Sequence, residues 1–199
     1  MAKKAKVALP LTPIPHLLAW WQFQSTPGLI IGGVAASLLG RPRMTRDVDA
    51  LVLVPENEWA RFLRSGKRFG IVPRESDTLQ FAEQTRVLLL RHRPTSIDVD
   101  IVLGALDFER ETLARVRKVR IAGMEIPLAT PEDLIVMKAI ARREQDWFDI
   151  EGLLAANPSL DLRHIRRWLR AFEAALDADD IYSDFKQLWT RQKRSSQDK

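Results

Sequence analysis

The spacing of apolar residues changes character near residue 130. Before it, short apolar runs alternate with turn residues; after it, apolar residues recur at helical spacing. In the first part the pattern predicts a helix over residues 14–24 and a turn at Pro27-Gly28. Leu29-Ile30-Ile31 is an expected buried strand that meets Gly32-Gly33, and Val34 to Leu39 a short helix stopped by Gly40 and Pro42. Val48 to Val54, rich in valine and leucine, is an expected strand. Pro55 then opens a helix with apolar positions at Trp59, Phe62 and Leu63. Residues 68–73 and 78–90 are expected to add two or three strands, and Ile97 to Leu103 another. A helix from Asp107 to Val116 precedes a hairpin over 119–122 and 125–128, turning near Gly123.

The second part opens on Thr130-Pro131-Glu132-Asp133. A threonine cap, a proline at the first helical position and carboxylates near the positive end are a strong helix start. Helices are expected over 131–143, 145–156, 161–176 and 179–190, and the tail 191–199, RQKRSSQDK, is expected to be disordered. The organisation is therefore an α/β core with an N-terminal helix over 1–129 and a helical region over 130–190. The fold class is α/β (α+β), a mixed sheet flanked by helices with a helical C-terminal half.

Composition narrows the chemistry. Hydrophobic residues make up 46% and charged residues 29%, as in a soluble globular protein. Cysteine is absent, which excludes disulfides and zinc–thiolate sites. His16, His92 and His164 are scattered, so a metal here would be hard and oxygen-bound, magnesium or manganese. No apolar run approaches the roughly 20 residues needed to cross a bilayer. Lysines before an apolar stretch loosely resemble a secretion signal. Prolines at 10, 13 and 15 interrupt it, and Trp20-Trp21-Gln22 is a poor cleavage site, so a cytoplasmic location is expected. The net charge of +5 and a pI near 9.8 suit a polyanionic partner such as RNA.

The segment Leu29–Val54 contains Gly32-Gly33, thirteen residues, then Asp47-Val48-Asp49. On a strand, residues two apart share a face, so Asp47 and Asp49 project together, and so do Asp98 and Asp100 on the later strand. Like charges on one face repel unless a cation lies between them, and a divalent ion with oxygen ligands is the natural choice. If the two strands are neighbours, up to four carboxylates converge; three suffice for two magnesium ions. Gly32-Gly33 lets a ligand approach the backbone, and the following helix N-terminus offers N–H groups to a phosphate. Each part alone has a plainer reading: a tight turn, a loop Asp-x-Asp, an acidic edge strand. Their order along one chain is what points to a site.

The segment GGVAASLLGRPRMTRDVDALV resembles the nucleotide-binding signature of the polymerase-beta nucleotidyltransferase superfamily. Arg43-x-Thr45-x-Asp47-x-Asp49 resembles its AbiEii-type branch, the nucleotidyltransferase toxins of type IV toxin–antitoxin systems, as do VDIVLGALDFE and ATPEDLIVMKAIARREQDWFDIEGLL. The likeness spans about residues 29–155. It implies a nucleotidyltransferase fold and a Mg2+- or Mn2+-dependent enzyme that moves a nucleoside monophosphate from a nucleoside triphosphate to a hydroxyl and releases pyrophosphate. It implies Gly32, Gly33 and Thr45 at the nucleotide, Asp47 and Asp49 on both metals, and Asp100 as the third carboxylate, both ligand and base. Asp98 competes with Asp100, and periodicity does not separate them. Gly33 stands where the family often has serine, so that hydroxyl contact is missing. Lys138 is implied to face the nucleotide. Asp146 and Asp149, one turn apart, either organise the site or form surface ion pairs with Arg142 and Arg143. Arg43 and Arg46 either touch phosphates or offset the acidic cluster. The implied acceptor is RNA, at the 3′ end of transfer RNA, and the implied partner a cognate antitoxin. Adenylylation of a small molecule such as an antibiotic is the alternative enzyme. A non-catalytic nucleotide- or partner-binding relative is the alternative binder, against which the complete carboxylate set speaks. Arg163, Arg166, Arg167 and Arg170 fall on one helix face, opposite Leu162, Ile165, Leu169 and Phe172. That basic face is either solvated or a seat for an RNA backbone.

Overall fold

The computed structural model describes residues 9–121 and 123–197. The chain divides into two compact units. Among the described residues, one holds 9–34 together with Arg43–Ala129; the other holds Ala35–Pro42 together with 130–197.

The first unit is built on a seven-stranded mixed sheet. Its strands are β1 (Gly28–Ile30), β2 (Asp47–Val52), β3 (Ile71–Pro73), β4 (Val87–His92), β5 (Ile97–Leu103), β6 (Arg117–Ile121) and β7 (Met124–Leu128), in the order β3-β4-β5-β2-β1-β7-β6. β2 runs parallel to β5, and β1 parallel to β7; the remaining neighbours are antiparallel. β2 and β5 alternate: Val48 and Val99 are buried between the aspartates, and further apolar residues follow toward the strands' C-terminal ends. Ala50, Leu51 and Val52 on β2, and Ile101 and Leu103 on β5, are buried. This apolar half fixes the register, because a slip by one residue would turn the aspartates inward and the aliphatic side chains outward. Asp47 thereby stands opposite Asp98, and Asp49 opposite Asp100.

Helices α1 (Ile14–Phe23), α3 (Trp59–Gly66), α4 (Thr78–Thr85) and α5 (Asp107–Ala114) belong to this unit, and α2 (Gly32–Leu39) starts in it. α1 buries Ile14, Leu17, Trp20 and Trp21. Trp20 stacks on Phe62 of α3 at 4.2 Å, and its indole N–H donates to Ser65 Oγ at 2.7 Å.

Three expectations are corrected here. Residues 78–85 form a helix rather than a strand, because Leu79, Gln80, Ala82, Glu83 and Gln84 are helix formers. Thr78 and Ala82, one turn apart, face inward, and the helix stops at Arg86 in the left-handed region (φ 60°), which leaves 87–92 to the sheet. The helix expected at Pro55 begins as a 3-10 turn, Glu56–Glu58, before α3. The first hairpin strand starts at Arg117, two residues early; Ala122, placed at its end, lies outside the described residues.

The second unit is helical: α6 (Pro131–Ala141), α7 (Glu144–Ala156), α8 (Leu162–Leu176) and α9 (Ile181–Gln197). Thr130 caps α6 as the sequence suggests, its Oγ1 accepting from the Asp133 N–H at 3.2 Å. Leu134, Ile135, Ile150, Leu153, Ile165, Leu169, Ile181, Phe185 and Leu188 are buried in this unit. Two glycines allow the segment after α2 to lie against α7. A Cβ on Gly152 would come within 2.8 Å of the Arg41 backbone, and one on Gly40 within 2.9 Å of the Leu153 nitrogen. Asn157 Nδ2 donates to the Leu39 carbonyl at 2.8 Å across the same contact.

The helical region extends past residue 190, where the tail was expected to begin. α9 runs on through residue 191 to Gln197; 198 and 199 lie outside the described residues. Arg191, Lys193 and Arg194 are good helix formers and place positive charge at the negative end of the helix. Lys193 also lies over the Trp189 ring at 4.6 Å.

Candidate active site

The Gly32-Gly33 turn is shaped by what lies against it. Gly32 has φ 62°, which disfavours any side chain, and a Cβ there would collide with the Asp49 carboxylate. A Cβ on Gly33 would sit 2.7 Å from Thr45 Oγ1 and 3.2 Å from an Arg43 nitrogen. β2 braces the turn: the Ile31 N–H donates to the Asp49 carbonyl at 2.9 Å. The Gly33 N–H points to Asp49 Oδ2 at a long 3.4 Å. Thr45 Oγ1 donates to Asp47 Oδ1 at 2.7 Å, and Arg43 reaches the Met44 carbonyl at 3.1 Å. Arg46 is exposed on the same loop.

On the far side of β2, the β5 carboxylates meet arginines. Arg74, just past β3, spans both: Nη1 to Asp98 at 2.8 Å and Nη2 to Asp100 at 2.7 Å. Arg91 of β4 holds the other oxygen of Asp98 at 2.7 Å. The side chains of Asp98 and Asp100 remain 32% and 30% exposed, so water reaches this face. The surroundings separate the two aspartates. Burial pushes the Asp100 carboxyl above its ordinary value, Asp47 and Asp98 push the same way, and Arg74 opposes them. The Arg91 hydrogen bond, with help from Arg74, holds Asp98 below the ordinary value against a smaller effect of burial.

The structure therefore brings Gly32, Gly33, Arg43, Thr45, Asp47, Asp49, Asp98 and Asp100 together in the first unit. Sequence reasoning missed Arg74. Four aspartates on one face demand a cation, which was the available signal, but Arg43 and Arg46 were the ones in local reach.

The donor set suits a hard divalent ion, since it consists of carboxylate oxygens on two registered strands. That the face already accepts a cation between Asp98 and Asp100 supports the fit. Among the described residues no three metal-ligating side chains are gathered as a formed metal group.

Lys138, Asp146 and Asp149 form a cluster of their own in the second unit. The Lys138 ammonium lies 3.1 Å from Asp146 and 2.6 Å from Asp149, and all three side chains are buried. Arg143 adds a bond to Asp146 at 2.7 Å. Burial works to raise the Asp146 pKa, but Arg143 and Lys138 outweigh it and hold the carboxyl below its ordinary value. Arg142 turns away at φ 56° and grips Asp180 with two bonds of 2.6 Å. The pair at 146 and 149 is thus internal rather than a surface ion pair.

Solved structures of like fold define the class. The antibiotic-resistance factor ANT(2'')-Ia is similar with a TM-score of 0.58 at 17% identity, over 87% of this chain and 96% of that one. The lincosamide antibiotic adenylyltransferase LnuA, solved with lincomycin bound, gives 0.50 at 15% identity, over 73% and 96%. The fold is that of the nucleotidyltransferases. No curated protein matches by sequence. The chain belongs to the family described as nucleotidyltransferase of unknown function, DUF6036, whose profile matches residues 22–197, and it is a nucleotidyltransferase.

No described helix is long and apolar enough to cross a membrane.

Proposed function

We propose that the enzyme transfers a nucleoside monophosphate from a nucleoside triphosphate to a hydroxyl, with the β2–β5 aspartates as its reaction centre. The observation that carries this is the register: Asp49 stands beside Asp100, and Asp47 beside Asp98, next to the Gly32-Gly33 turn. Neighbouring strands lie about 4.8 Å apart, so these carboxylates share one small volume. Gly32, Gly33 and Thr45 border the place for the triphosphate, where the first N–H groups of α2 suit an anion. Asp47, Asp49 and Asp100 are the residues to hold magnesium or manganese. Bound there, the metal supplies positive charge to the phosphates and acidifies the attacking hydroxyl. Asp100 is the better base. Its burial raises its proton affinity, whereas Asp98 is committed to two guanidinium groups. The acceptor oxygen bonds to the α-phosphorus, the bond to the β-phosphate oxygen breaks, pyrophosphate leaves, and the hydroxyl proton passes to Asp100.

RNA is the acceptor we favour. Arg163, Arg166, Arg167 and Arg170 are exposed on α8, and the chain carries a net charge of +5, both of which suit a polyanion. The toxin role, the cognate antitoxin and the transfer RNA 3′ end rest on the AbiEii-type motifs of the sequence. A small-molecule acceptor is the second reading, favoured by the fold likeness to ANT(2'')-Ia and LnuA.

The test is incubation with each labelled nucleoside triphosphate, magnesium, and either transfer RNA or a panel of aminoglycosides and lincosamides. Label in RNA, lost in Asp49→Asn, supports the first reading. Label in the small molecules alone supports the second, and no transfer with any combination counts against both.

A further inference from the structure

Arg74 has a part that a structural salt bridge does not account for. It is held by its backbone N–H, which donates to the Leu89 carbonyl at 3.0 Å and extends the β3–β4 pairing by one residue. Its guanidinium does not grip one carboxylate with both nitrogens, the geometry a simple pair would favour. It divides them, one to Asp98 and one to Asp100. Asp98 would keep Arg91 if Arg74 left. For the Asp100 carboxylate, Arg74 is the one side-chain partner among the described residues. Arg74 is also only 19% exposed at the side chain, so its charge is well placed to act on both.

From this we infer that Arg74 is the resident counter-ion of the aspartate array, and that a divalent cation entering the array must compete with it for Asp100. The inference rests on the reading that Asp47, Asp49 and Asp100 bind metal. Arg74 is a positioning residue: it acts through Asp100. It holds the third carboxylate in place and offsets part of the array's negative charge while no metal is bound. The same contact raises the metal concentration the enzyme needs, because two cations held at one carboxylate repel each other. The competition is mutual by linkage: whatever metal does to the Arg74 contact, the contact does to metal affinity.

The test is Mn2+ binding, followed by electron paramagnetic resonance of free Mn2+, with thermal unfolding in chelator alongside. Neither readout uses turnover. Arg74→Gln should melt at lower temperature in chelator yet bind Mn2+ about fivefold more tightly, the size expected for loss of one competing, partly exposed ion pair. Arg74→Lys keeps the charge but cannot divide two parallel donors between two carboxylates. It should bind Mn2+ with an affinity between the other two, and it carries the test if the glutamine variant does not fold. A purely structural arginine predicts the opposite sign, since a looser Asp100 would bind metal more weakly. Mn2+ affinity equal to or weaker than wild type in the variants therefore overturns the inference. The underlying metal reading is checked separately by Asp49→Asn. If wild type binds no Mn2+, or Asp49→Asn binds it as well as wild type, that reading falls and the inference with it. If wild type binds, Asp49→Asn does not, and Arg74→Gln is unchanged, the inference alone is wrong.

Discussion

In the sheet unit, Asp98 and Asp100 meet Arg74 with about a third of each carboxylate side chain in contact with water. In the helical unit, Asp146 and Asp149 meet Lys138 at side-chain exposures of 0%, 1% and 6%. Both places set two carboxylates against one shared cation. They differ in access. A counter-ion that water can reach is exchangeable, because the charges it leaves behind can be solvated or taken up by another cation. One sealed from water is not, since removing it leaves buried charge less compensated in a poor dielectric. The open pair is therefore suited to handling ligands, and the closed one to fixing the crossing of α6 and α7. Lys138, implied by the resemblance to face the nucleotide, is paired with Asp146 and Asp149 inside its own unit.

The largest effect should come from the open array. Asp100→Ala is expected to lower nucleotide transfer by at least the 10²–10⁴-fold attributed to general-base catalysis alone. Asp98→Ala should cost much less, because its bonds to Arg91 and Arg74 are supporting contacts. Initial rates for both variants, with circular dichroism to confirm folding, decide it. A folded Asp100→Ala protein with near wild-type rate would remove the array's claim to be the reaction centre, and a dead Asp98→Ala would move the base by one position on the strand face.

The next effect belongs to the closed cluster. Lys138→Met removes the buried ammonium that Asp146 and Asp149 share, and should cost about 3–5 kcal/mol in urea unfolding. Arg74→Gln, measured metal-free in the same way, should cost less, about 1 kcal/mol, as for a pair that water partly reaches. Equal losses in the two variants would erase the distinction between open and closed.

The smallest effect is a matter of pH. Asp146 has its folded pKa depressed, so the unfolded chain binds its proton first as acid is added. Its contribution to stability is thus complete above the unfolded value, about 3.9, and disappears as pH falls through the lower folded value. Asp100, with a raised folded pKa, carries the opposite sign: ionising it costs stability as pH rises through that value. Unfolding free energies between pH 6 and pH 2 should show a loss on the acid side that is shallower in Asp146→Asn. An unchanged acid limb in that variant would mean that Asp146 titrates as an ordinary exposed carboxylate.

Local chemistry was legible in the sequence, and long-range pairing was not. Alternation placed Asp47 with Asp49 and Asp98 with Asp100 on strand faces, because the period of two is written in consecutive residues. Thr130-Pro131 announced α6 for the same reason. The register of β2 with β5 is a contact across fifty-one positions, and no pattern within either strand states it. Arg74 lies twenty-six residues from Asp100 and follows an unremarkable Ile-Val-Pro, so only the sheet order reveals that it faces the array. The burial of Lys138 was hidden similarly: its partners lie eight and eleven residues on, across the break between two helices. Where composition alone guided the reading, at the polar tail, α9 continued, since Lys and Arg extend a helix as readily as they solvate a coil.

The eight residues Ala35–Pro42 give the protein an unusual inheritance problem. They are encoded inside the first half, yet they pack with the second, where Gly40 meets α7 and Leu39 accepts from Asn157. No single cut in the gene separates the two units. A fragment starting at Thr130 would lack a strip of its own interior, and the complementary fragment would carry that strip with nothing to cover it. Recombination between relatives that exchanged only the C-terminal segment would bring together a Gly152 and an Arg41 never selected as a pair. These eight positions should therefore travel with the helical unit in any viable chimaera, and a domain graft that ignores them should fail in folding before it fails in catalysis.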